Sequence, residues 1–199
     1  ITDDGALDIE GIATISATIS YNVTLDNTSN DFTNDVRVIG DDVQLVDANG
    51  IVLGTSNVDG TYAVTATAGG DITDEGTLDI EGVATFTAAN GQSIYLNDTS
   101  NDFNTTVTFA AVSGSLANVT IDDDSAIALP ALNITGNLSV TAGGAVTDNG
   151  VLDIDGETTI LASGSNVTLD NGSHDFSNDV KITGNTVVLV DTNALVLGT

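Results

Sequence analysis

No cysteine, methionine or tryptophan occurs in this chain of 199 residues. Without Cys there is no disulfide and no Cys-ligated zinc or iron–sulfur centre. Positive charge is nearly missing: two Lys+Arg stand against 29 Asp+Glu, a formal net charge of −27. Nucleic acid and anionic membrane surfaces are bound through cationic footprints, so neither is an expected partner. No apolar run approaches the roughly 20 residues that span a bilayer, which argues against membrane insertion. Aromatic residues are only 4%, too few for the cores of sandwich domains or propeller blades. Pro130 is the one proline. The chain starts at Ile1 with no signal peptide, so a processed product or an excerpt of a longer chain is expected.

What is present is repetition. Ile1-Thr2-Asp3-Asp4-Gly5 leads to Leu7-Asp8-Ile9-Glu10-Gly11. The same words return as Ile72-Thr73-Asp74-Glu75-Gly76 with Leu78-Asp79-Ile80-Glu81-Gly82, and as Val146-Thr147-Asp148-Asn149-Gly150 with Leu152-Asp153-Ile154-Asp155-Gly156. The copies are 1–71, 72–145 and 146–199, the third incomplete. Each also carries a polar turn before a phenylalanine: Phe32, Phe103 and Phe176. Between these words run short segments of alternating apolar and polar residues, closed by Gly, Asn or Asp. They read as strands, with no capped helical pattern. At 41% apolar residues the chain is too hydrophobic for disorder despite its charge.

A repeat of this length made of short strands predicts a parallel β-helix: one continuous solenoid over 1–199, all-β, an elongated rod. Each repeat would supply three or four coils of roughly 18–25 residues, by analogy with other solenoid repeats. Inward columns of Val, Ile, Leu and Ala would stack, while Asp8, Glu10, Thr24 and Arg37 face water. Phe32, Phe103 and Phe176 are expected to point inward, and Gly11, Gly82 and Gly156 to close equivalent turns. The middle copy diverges at Leu116–Asp124, which a stacked fold tolerates because each coil touches only its neighbours.

The stretches NDFTNDVRVIGDDVQLVDANGIVLGTS, VTATAGGDITDEGTLDIEGVATFTAANG and LNITGNLSVTAGGAVTDNG resemble the shaft repeats of bacterial filamentous-haemagglutinin-like exoproteins, large β-helical adhesins. The resemblance covers essentially the whole chain. It implies a right-handed parallel β-helix and a structural segment of an extracellular filament or adhesin shaft. Such a segment would support surface attachment, cell–cell contact or a protective matrix. It further implies a place on the surface of a bacterium or in a secreted fibre. The family's amino-terminal secretion domain is not among these residues. Expected partners are the chain itself, continued or stacked head to tail, and glycans or proteins of a host or neighbouring cell. The alternative from another class is a carbohydrate-active β-helix enzyme or a carbohydrate-binding module, which a groove lined with aromatics and convergent carboxylates would favour.

Chemistry-bearing residues are few. His174, the one histidine, stands where the other copies have Asn30 and Asn101, so it reads as a turn residue. Arg37 and Lys181 align with each other and with Thr108. Two dispersed cations do not make a lyase for acidic polysaccharides. Asp8/Glu10, Asp79/Glu81 and Asp153/Asp155 recur by copy and so mark a solvated face rather than a catalytic pair. No catalytic or cofactor-binding residues are therefore expected. Asp122-Asp123-Asp124 occurs once and reads first as an acidic turn, with diffuse screening of the rod by divalent ions ahead of one tight site; the alternative is that its oxygens hold Ca²⁺. Nine sequons stand at Asn22, Asn27, Asn97, Asn104, Asn118, Asn133, Asn137, Asn166 and Asn171, acceptors for glycosylation if the source has the machinery.

Overall fold

The structure, a computed structural model, describes residues 1–198; Thr199 lies outside the described residues. The described residues are all-β, 27 short strands wound into a β-solenoid of about 9 turns. The strands pair in parallel throughout the described residues, with strands of the coil before, of the coil after, or of both. Tyr62 follows its partner Val43 by 19 residues (62 − 43), and Val119 follows Ile94 by 25 (119 − 94). Parallel pairing needs such a crossover, and here the rest of the coil supplies it.

Period two decides what lies inside. The strands Tyr62–Ala66, Ala84–Ala88 and Leu138–Ala142 alternate buried with half-buried residues along their whole length. Because the register is in phase, buried residues of successive coils fall into columns. One runs Val23, Val43, Tyr62, Ala84, Val107, and another Leu25, Leu45, Val64, Phe86, Phe109. A third follows Ile72, Ile94, Val119 and Leu138. Together they form one continuous apolar core along the axis.

One 13-stranded sheet runs the length of the solenoid and forks at the strand Val36–Gly40. Val36 there pairs with Leu53 while Ile39 pairs with Asn57. The other sheets have two to five strands. Pro130 stands between the strands Ile127–Leu129 and Leu132–Ile134, a corner where no ladder N–H is needed.

Phe32, Phe103 and Phe176 are buried at equivalent corners, 2%, 2% and 1% exposed. Phe103 meets Phe86 edge-on at 6.1 Å, and Phe86 also contacts Tyr62 and Phe109. The middle repeat thus holds an aromatic cluster around Phe86 that the single-position phenylalanine pattern does not reveal. Asp8, Glu10 and Arg37 are exposed and Thr24 half-buried.

Candidate functional site

The polar groups that recur in every repeat are the natural place to look for function, and they are built around the corner before each phenylalanine. Asn30 Oδ1 accepts the backbone N–H of Leu7 at 2.9 Å, and its Nδ2 donates to Asp3 Oδ2 at 2.8 Å. One repeat later Asn101 Oδ1 accepts the N–H of Leu78 at 2.8 Å and its Nδ2 donates to Asp74 Oδ2 at 2.7 Å. In the third repeat His174 Nδ1 accepts the N–H of Leu152 at 3.0 Å, and its Nε2 lies 3.5 Å from Asp148 Oδ2. All three side chains are fully buried. The histidine substitutes for an amide, one ring nitrogen taking the backbone proton and the other facing the carboxylate.

The aspartates in these corners are themselves structural. Asp74 also accepts the N–H groups of Asn97 and Asp98, Asp148 that of Asp170, and Asp3 that of Asn27. Similar bonds cross other corners: Asp42 accepts from Thr61, Asp71 from Ser93, Asn118 from Asn137 and Asn137 from Glu157. Corners interrupt the strand ladder and would leave N–H groups unpaired; in these corners a side-chain oxygen from the adjacent coil takes the N–H, and in others a backbone carbonyl does. The Asn30 amide holds the Asp3 carboxyl below its ordinary range, and the Thr61 N–H does the same for Asp42.

The acidic run does not act as the triplet that its spelling suggests. In the strand Val119–Asp123 alternate residues face opposite ways, so Asp122 and Asp123 separate. Asp122 faces the charges of Asp74 and Asp98. The carboxylates brought together are Asp102, Asp123 and Asp124, with ligand oxygens within 4.8 Å of one another. Burial raises the pKa of Asp102 and of Asp123, with neighbouring carboxylates adding to both. Asp102 carries no local sequence signal that sets it apart from Asp31 and Asp175; only the stacking of the next coil reveals it.

The two basic side chains are engaged. Arg37 Nε is 2.7 Å from Asp35 Oδ2, and Lys181 Nζ is 2.7 Å from Glu157 Oε2. Gly82 and Gly156 sit where a Cβ would meet backbone of the coil below, Gly60 and Gly136, whereas nothing lies within 4 Å of a Cβ at Gly11. Of the sequon asparagines, Asn22, Asn118 and Asn133 spend their amide N–H in bonds to Asp42, to Ser93 and Tyr95, and to Asp153. A groove of about 240 Å³ along Asn22, Thr24, Asp42, Gln44 and Thr61 holds one carboxylate and no aromatic side chain.

A family profile described as repeats of unknown function (DUF5649) matches residues 1–39, 40–110 and 116–183. No curated protein and no solved structure matches the chain.

Proposed function

The chain belongs to the family of repeats of unknown function DUF5649, and from that premise we propose that it is a structural segment of an extracellular β-solenoid filament or adhesin shaft. The observation that carries this reading is the same corner built three times. Asn30 on Leu7, Asn101 on Leu78 and His174 on Leu152 make one bond at equivalent places along one axis. Repetition of one corner suits an object whose property is length. An enzyme builds its site once. The core supports the same reading, since each coil buries its apolar face against the next coil rather than around a cavity. At the last coil Val187, Leu195 and Leu197 remain exposed, and with Val180, Ile182 and Leu189 they line an apolar groove of about 410 Å³.

The resemblance to filamentous-haemagglutinin-like shafts supplies the extracellular, bacterial part of the proposal. Immunogold microscopy of the producing cells, with antibody raised against these 199 residues, tests it. Label along surface fibres or shed filaments is the expected result. Label confined to the cell interior would reject the adhesin and filament reading while leaving the solenoid intact.

A further inference from the structure

We propose that Asp102, Asp123 and Asp124 bind one hard divalent cation of the Ca²⁺ class at the corner between two coils of the middle repeat. The argument starts from what the other repeats do at this corner. The inward aspartate is common to all three, as Asp47, Asp123 and Asp191. Asp47 accepts the N–H of Phe32 at 2.8 Å, and Asp191 that of Phe176 at 3.3 Å. In the third repeat the outer aspartate is also satisfied, because Asn193 Nδ2 donates to Asp175 Oδ1 at 2.8 Å.

The middle repeat removes that donor and adds an acceptor. Ser125 stands in the place of Asn193, and both its N–H and its hydroxyl turn to Asp123 Oδ1, at 2.9 and 3.0 Å. Asp102 Oδ1 is left buried with no hydrogen-bond partner, the side chain of Asn104 acting on this carboxylate without reaching that oxygen. Asp123 is 3% exposed, and its Oδ2 is likewise buried with no partner at hydrogen-bond distance, although the backbone N–H of Phe103 still acts on this carboxylate, as that of Phe32 does on Asp47. Asp191 Oδ2 is also unpartnered, but among the described residues no three-carboxylate group forms around it. The place of Asp124 is held by Ala48 in the first repeat and Thr192 in the third, so the fold does not require an acid there.

Two orphaned buried carboxylate oxygens beside a third carboxylate are stabilised either by a proton or by a positive partner. The chain's own cations do not supply it, since Arg37 and Lys181 are held by Asp35 and Glu157. Ca²⁺ takes oxygens at about 2.3–2.6 Å, so ligands on opposite sides of the ion stand about 4.6–5.2 Å apart. The oxygens here lie within 4.8 Å of one another. Mg²⁺ demands a tighter and more regular shell than carboxylates from two coils provide. Asp124 is exposed, which gives the ion a way in and leaves positions for water.

The test is calorimetric titration of the 199-residue chain with CaCl₂ in 150 mM NaCl, roughly physiological ionic strength. Thermal unfolding is followed in parallel. One saturable site per chain is expected, with a Kd on the order of 0.1–1 mM, the range of extracellular modules. Asp124→Ala, which reproduces the first repeat, should keep the fold and weaken binding at least tenfold. Asp102→Asn should weaken it similarly. Asp122→Asn removes the same charge next to the cluster and should leave binding within twofold. Equal binding by the Asp124→Ala and Asp122→Asn variants would mean diffuse screening and overturn the proposal. So would wild-type heats that never saturate, the outcome expected if Asp102 and Asp123 share a proton instead.

Discussion

His174 shows how much a single position in this fold is asked to do. It must accept one buried backbone proton and face one carboxylate, and Asn30 and Asn101 meet the same demand with an amide. An amide supplies an acceptor and a donor on one short side chain, so His174→Asn should reach both Leu152 and Asp148. Stability within about 1 kcal/mol of the parent is expected in urea unfolding, since each partner remains satisfied. His174→Ala leaves the Leu152 N–H buried without a partner and opens a cavity against Phe176, which the imidazole contacts at 5.6 Å. That variant should lose about 3 kcal/mol or more. Equal losses from the two substitutions would defeat the account of the corner as an interchangeable hydrogen-bonding unit.

At the scale of the element, what limits this fold is the closeness of coils at their corners. A Cβ on Gly82 would lie 2.1 Å from the carbonyl oxygen of Gly60, a backbone atom with no freedom to move aside. A Cβ on Gly11 meets nothing within 4 Å. The two glycines close the same word in neighbouring repeats, yet they should respond differently. Gly82→Ala forces two coils apart and should cost about 1–3 kcal/mol or more, as overpacking does. Gly11→Ala on the same chain should stay within about 0.5 kcal/mol, like other surface changes. Thermal unfolding of the two variants side by side measures the contrast. A Gly82→Ala chain as stable as the Gly11→Ala chain would show that the corners are looser than they stand here.

At the scale of the molecule, the acids fall into two groups with opposite responses to pH. Burial raises the pKa of Asp47, Asp102, Asp122 and Asp123 above the ordinary 3.8. These four hold protons more tightly folded than unfolded. Their contribution is present at low pH and is lost as pH rises through their folded values. Hydrogen bonds lower Asp3 and Asp42, and Lys181 lowers Glu157. Those three contribute above their unfolded values and lose that contribution as pH falls. In buffer with a chelator, stability should therefore rise as pH falls from 7 toward the range just above 3.8, and decline below it. Relief of self-repulsion at a net charge of −27 acts in the same direction over the upper part of that range. Urea unfolding at pH 7, 5, 4 and 3 reads the curve. Stability falling steadily from pH 7 downward would mean that the hydrogen-bonded acids outweigh the buried ones.

The repeat words and the period-two alternation by themselves determined the parallel solenoid, its inward columns and the burial of Phe32, Phe103 and Phe176. Those features depend on residue spacing along one strand and on recurrence, both written in the chain. They also placed His174 with Asn30 and Asn101. The partner of Asp123 was decided by the tertiary structure alone. Phe103 follows Phe32 by 71 residues (103 − 32), but Asp123 follows Asp47 by 76 (123 − 47). The middle repeat therefore carries five extra residues between its phenylalanine and its inward aspartate. Only the stacking of coils shows that the insertion is absorbed and that Asp123 returns to the same corner. Period two then turns Asp122 away and leaves Asp102, one coil earlier, to complete the cluster. The same reason hid the structural work of Asp3, Asp42, Asp74 and Asp148. Their partners stand 19 to 27 residues away, and which oxygen meets which N–H depends on the register of one coil on the next.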